Sequence, residues 1–127
     1  PLIPEAFEAA FEALRGRGFY PINHLIVVRD EVLEAHPWLA REVFQAFVES
    51  KRLYLERLKA GRIEHPTAVD RLHLRVLQVT DDPLPYGVEP NREILERLLH
   101  HARAQRILRQ PVAVESLFAE GTLQLAG

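Results

Sequence analysis

The side chains able to move a proton near neutral pH are six histidines, and there is no cysteine at all. Imidazole titrates close to neutrality, so each histidine is a candidate acid, base or metal ligand. His100 and His101 are adjacent, and adjacent helical positions point about 100° apart, so the pair does not converge on one ion. His65 and His73 lack the HExxH or i,i+4 spacing of a metal-binding helix, and no metal or other cofactor is expected. The absence of cysteine excludes a disulfide framework, a thiolate zinc site and a thiol nucleophile. Asp81 and Asp82 are neighbours, but carboxylates in a turn usually cap backbone amides. Neither a glycine-rich phosphate loop nor a nucleophile elbow is present. His24 and its neighbour Asn23 remain, with Tyr20 and Tyr86, whose rings can hold a flat apolar ligand while their hydroxyls bond its substituents. Tyr86 in a proline-rich turn has a competing role as a packing anchor.

The elements that must position these groups follow from periodicity. Phe7, Ala10, Phe11 and Leu14 recur at three and four, which predicts an amphipathic helix over 4–14 with Gly16 and Gly18 past its end. Residues 22–28 form a β-branched run of strand length whose last four positions have no polar face, the pattern of a strand buried on both sides. Asp30 stands where it would cap a short helix over 31–35. A long helix is expected over 37–59, opened by Pro37 and stopped by Gly61, with Arg41, Glu49, Arg52 and Glu56 on a solvated face. His36 precedes it, and Trp38 is expected in the core. Residues 67–80 suit a helix, although 72–76 also alternate like a strand. The proline-rich stretch 81–87 is a loop, a helix follows over 90–105, and a short helical turn over 114–118 closes the chain.

The bulk numbers narrow the class further. The 127 residues fit a single domain, and 16 basic against 18 acidic side chains leave a formal charge of −2. That balance lacks the basic footprint of a nucleic-acid-binding protein. No apolar run approaches the roughly 20 residues that span a bilayer, so no membrane partner is expected. One strand buried on both faces is physically incomplete, because its backbone donors and acceptors need neighbouring strands that the sequence does not supply. Either the chain is the end of a longer protein, exposing apolar surface when alone, or its strand pairs with another molecule in a homo-oligomer.

Four colinear segments carry a resemblance. Gly18-Phe19-Tyr20-Pro21-Ile22-Asn23-His24, continuing through Val27-Val28-Arg29-Asp30 to His36-Pro37-Trp38, is the first, and Ala46-Phe47-Val48-Glu49-Ser50-Lys51-Arg52 is the second. Asp82-Pro83-Leu84-Pro85-Tyr86-Gly87-Val88-Glu89 with Asn91-Arg92 is the third, and Glu115-Ser116-Leu117-Phe118-Ala119 is the fourth. Together they resemble the C-terminal part of the 4,5-dihydroxyphthalate decarboxylase family. In one place the pattern departs: the family's longer helical stretch before the tyrosine-glycine loop, often with leucine-proline-tryptophan, is shorter here and holds Leu72-His73-Leu74.

The resemblance implies an α/β fold in which this segment is the C-terminal part of a type 2 periplasmic-binding-protein-like lobe, mostly helical with one buried strand. The rest of a two-lobed protein, including the N-terminal lobe, would lie outside residues 1–127. It implies a carboxy-lyase acting on a small hydroxylated aromatic carboxylate, with His24 as the acid and Asn23, Tyr20 and Tyr86 binding the substrate. The alternative for His24 is a buried histidine bonded to nearby backbone. Two other functions stay open: a non-catalytic solute-binding protein for a small aromatic or carboxylate ligand, and a helical module that dimerises through its strand. The first reading places the protein in the cytoplasm and the solute-binding one in the periplasm.

Overall fold

In the computed structural model, residues 2–18, 22 and 24–127 are described, and they form a helical fold. Five α-helices follow in order: α1 (Ala6–Arg17), α2 (Asp30–Ala35), α3 (Leu39–Lys59), α4 (Ala68–Val76) and α5 (Arg92–Ala104). Single 3-10 turns occupy Glu89–Asn91 and Val114–Leu117. The chain divides into two compact units, one of Pro1–Pro21 with Tyr54–Leu84 and the other of Ile22–Leu53 with Pro85–Gly127. Among the described residues no helix is long and apolar enough to cross a membrane.

The helix ends have local causes. α1 runs through Gly16 and stops only at Gly18, whose φ of 65° lets its N–H reach the Leu14 carbonyl at 2.8 Å. α3 ends in a Schellman turn: Gly61 at φ 64° donates to Leu58, and Arg62 donates to Arg57 at 2.9 Å. Asp30 does not cap α2 but forms its first residue, with Arg29 at the cap position and no side-chain bond there. Its carboxylate still lies at the positive end of the helix dipole. α4 is shorter than the expected span, and it opens on a capping box in which Thr67 and Asp70 satisfy each other's backbone amides.

In the first unit Leu14, Leu58 and Val76 are buried. Arg75 binds Glu8 through two bonds of 2.6 and 2.5 Å and lies 4.0 Å over the Phe11 ring, fixing α4 against α1. In the second unit Val88, Leu95 and Val114 form the core, with Ile22, Leu99, Phe118 and Leu123 packed against it. An isolated antiparallel bridge joins Gly87 to Ala126. A Cβ at Gly87 would lie 2.3 Å from the Leu125 carbonyl oxygen, so the bridge needs glycine for space as well as for its φ of 109°.

The expected α/β lobe with a buried strand over 22–28 is not what the chain forms. Residues 24–29 are neither helix nor strand, and Leu25, Ile26 and Val27 are 51%, 63% and 88% exposed. The physical reason is the incompleteness already seen in the sequence: β-branched residues favour an extended backbone, but a strand exists only when its amides and carbonyls pair across a ladder. No strand to pair with is found among the described residues. Trp38, expected in the core, is 60% exposed, with its ring edge-on to His36 at 5.7 Å.

Candidate functional site

His24 is exposed and on no strand, so it is not the buried histidine of the alternative. Asn23 and Tyr20 fall outside the described residues. Tyr86 is half-buried, its backbone exchanging hydrogen bonds with Gly127 at 2.9 and 3.2 Å and its ring 4.9 Å beneath the Lys51 ammonium. These contacts are those of a packing anchor. His100 and His101 meet edge to face at 5.6 Å on the surface of α5, and no cluster of three metal-binding side chains occurs among the described residues.

Around Tyr86 the structure gathers the segments that carry the resemblance. Lys51 of α3 covers the ring, and Asn91, buried as the last residue of the 3-10 turn, donates to the Pro85 carbonyl at 2.8 Å and the Gly87 carbonyl at 2.9 Å. One amide side chain thus holds the loop closed from both sides of Tyr86. The next residue, Arg92, binds Glu89 at 2.5 Å and Glu115 at 2.7 Å, with Glu96 at 3.8 Å. The Glu89 and Glu115 carboxyls are held below the usual carboxylate range, Glu89 first by the Arg92 hydrogen bond and Glu115 first by a backbone amide and then by Arg92. Ile22 and Phe118, from the first and last resembling segments, pack on the same core. These residues hold one another in place, which is a structural role rather than a chemical one.

The first unit contains a polar cluster that the sequence reading missed. The Tyr54 hydroxyl donates to Asp70 Oδ1 at 2.8 Å and lies 2.8 Å from His73 Nδ1. A phenol has a single proton to give, and a carboxylate can only accept, so His73 must carry its proton on Nδ1 and donate to the Tyr54 oxygen. Asp70 Oδ2 meanwhile accepts from the Thr67 amide and hydroxyl, both at 2.7 Å. The Thr67 bonds foremost, then the Tyr54 bond, hold the Asp70 carboxyl below the carboxylate range. Burial, reinforced by the Asp70 charge, pushes Tyr54 far up, and burial pulls His73 down against the opposing pull of Asp70. Burial thus favours the neutral imidazole, and burial together with the Asp70 bond favours the protonated phenol. Its sequence signal was Thr67-x-x-Asp70, a capping box in front of an apolar run, with His73 one turn later on the same face.

The fold and the site thus describe a helical segment whose two units each close on their own polar lock, without a converged acid-base pair around His24 among the described residues. The chain is similar to 4,5-dihydroxyphthalate decarboxylase from Comamonas testosteroni, with 29% identity over 126 residues. The match bears out the resemblance read in the sequence, covering 97% of this chain and 38% of that protein, so the chain spans under two fifths of that relative's length. No protein-family profile and no solved structure matches.

Proposed function

We propose that the chain is the C-terminal part of a decarboxylase-like carboxy-lyase acting on a small hydroxylated aromatic carboxylate. The observation that carries this reading is the similarity to 4,5-dihydroxyphthalate decarboxylase over nearly all of the chain. In this reading the network of Tyr86, Asn91, Arg92 and Glu115 is scaffold, and the chemistry belongs to the segment of His24 in the same unit. His24 supplies a proton to the ring carbon that bears the carboxylate. A ring hydroxyl feeds electron density to that carbon as it takes the proton, and the carbon–carbon bonding pair then restores the aromatic ring as carbon dioxide leaves. An imidazolium has the acidity for that step near neutral pH. Asn23 and Tyr20 would bind substrate substituents, and Tyr86 would support the loop behind them. The bare apolar side chains of Leu25, Ile26 and Val27 favour a longer protein that covers them.

The test is carbon dioxide release from 4,5-dihydroxyphthalate by the longer natural protein that contains this sequence. Release that falls at least about tenfold in His24→Ala supports the whole reading. Release unchanged in that variant removes His24 from the mechanism, and no release from any hydroxyphthalate removes the activity.

A further inference from the structure

We propose that the groove between α5 and residues 106–114 binds a small apolar-bodied carboxylate, with the Arg103 guanidinium as its anion-binding group. The site is separate from His24 and does not depend on the decarboxylase reading.

The groove owes its shape to how α5 ends. Ile107 donates to the Ala102 carbonyl and Arg106 to the Arg103 carbonyl, both at 2.9 Å, the two bonds of a Schellman turn. The residue that must adopt the left-handed conformation there is Arg106, at φ 60°, where glycine is the usual occupant. A side chain in that region costs about 1 kcal/mol or more. The turn sends the chain back beside its own helix and leaves a groove of about 340 Å³. Leu99, His100 and Arg103 line it from α5, and Leu108, Pro111 and Val112 from the returning segment. The volume is near the lower end for small-molecule sites, roughly 300–1,000 Å³, and suits a ligand built on one ring.

Two carboxylates also line this groove, Glu96 and Glu115, and both lie beside Arg92, which binds Glu89 as well. Elsewhere Arg15, Arg29, Arg52, Arg62 and Arg75 each hold a carboxylate. From 97 to 114 the sequence contains no acidic residue, and Arg103, Arg106 and Arg109 have no carboxylate partner among the described residues. The helix dipole accounts for a cation in the last turn of α5, but not for a strained arginine beyond it or for the apolar walls beside it. A guanidinium presents two parallel N–H groups to a carboxylate, His100 adds a third donor, and Leu99, Leu108 and Val112 offer surface to an apolar body.

Titration calorimetry of the longer natural protein that contains this sequence, with benzoate at low salt, tests the proposal, with benzamide as the uncharged probe of the same shape. Saturable benzoate binding, none by benzamide, and at least about tenfold weaker benzoate binding by Arg103→Ala are expected, the range of a lost charged hydrogen bond. Arg103→Lys, which keeps the charge and loses the fork, should fall between. Absence of saturable benzoate binding, or undiminished binding by Arg103→Ala, overturns the proposal. Should Arg103→Ala unfold, amide chemical-shift changes of the unmutated protein decide it: changes centred on 99–112 support the site, and changes centred elsewhere overturn it.

Discussion

The two units close by different physics. The second has an apolar core of Val88, Leu95 and Val114, and around it Asn91 and Arg92 tie the loop of Tyr86 and the turn of Glu115 together. The first buries Leu14, Leu58 and Val76 but adds a line of partly buried hydrogen bonds from Thr67 through Asp70 and Tyr54 to His73, with the Arg75–Glu8 pair outside it. The resemblance divides the same way. Most of its segments fall in the second unit, residues 18–21 and 82–84 excepted, whereas Leu72-His73-Leu74, where the resemblance lapses, lies on α4 of the first. At that place this chain has a short capped helix whose histidine completes a polar cluster. Its cost is sensitivity to pH in the histidine range, whereas the shifted groups of the second unit, Glu89 and Glu115, are carboxylates that respond only at lower pH.

Substitutions separate the two modes, and amide hydrogen exchange across each unit reads them. Leu95→Ala removes a fully buried side chain from the second core and should cost about 2–5 kcal/mol there. Exchange in the first unit should change much less, and equal loss in both would erase the distinction. Asn91→Ala leaves the Pro85 and Gly87 carbonyls without their donor and should cost about 1–3 kcal/mol, with the amides near Tyr86 opening first. Tyr54→Phe should cost about 1 kcal/mol, confined to the first unit.

Acid sharpens the contrast further. The folded pKa of His73 lies below the ordinary 6.5, so the unfolded chain takes up that proton first. The stability this gives is present above 6.5 and falls as pH drops through that value towards the folded pKa. Asp70 acts in the same direction at lower pH, since its folded pKa lies below 3.8. Exchange at pH 5 should accelerate around α4 ahead of α5, and His73→Gln should reduce that difference. The smallest effect belongs to Arg75→Ala, an exposed pair whose loss should barely move the melting temperature and should do so less at high salt.

Much of the helical order was legible because period and punctuation agree. Gly61 stops α3, and the apolar stripe of α5 begins after Pro90, as local rules require. Residues 22–28 were misread because strand propensity describes what a segment does beside a partner, and no partner is within the sequence. Gly16 misled because a glycine inside a helix costs only about 1 kcal/mol, which the packing of Leu14 and the basic last turn offset. At the site, Asp70 was hidden by its dual use, since a capping carboxylate gives no sign in sequence that its second oxygen meets a tyrosine from another helix. Asn91 and Arg92 were visible as part of a resemblance, but nothing in sequence shows that Asn91 folds back on the Pro85 and Gly87 carbonyls or that Arg92 reaches Glu115, 23 residues away.

The central claim is a division of labour, with chemistry at His24 and scaffolding at Arg92. It is tested most directly by measuring turnover and melting temperature of His24→Ala and Arg92→Ala side by side in the longer natural protein. The account predicts that His24→Ala loses at least about tenfold in carbon dioxide release at an unchanged melting temperature, while Arg92→Ala melts lower and keeps turnover when assayed well below its transition. A destabilised His24→Ala with intact turnover, or an Arg92→Ala that is stable and inactive, would contradict it.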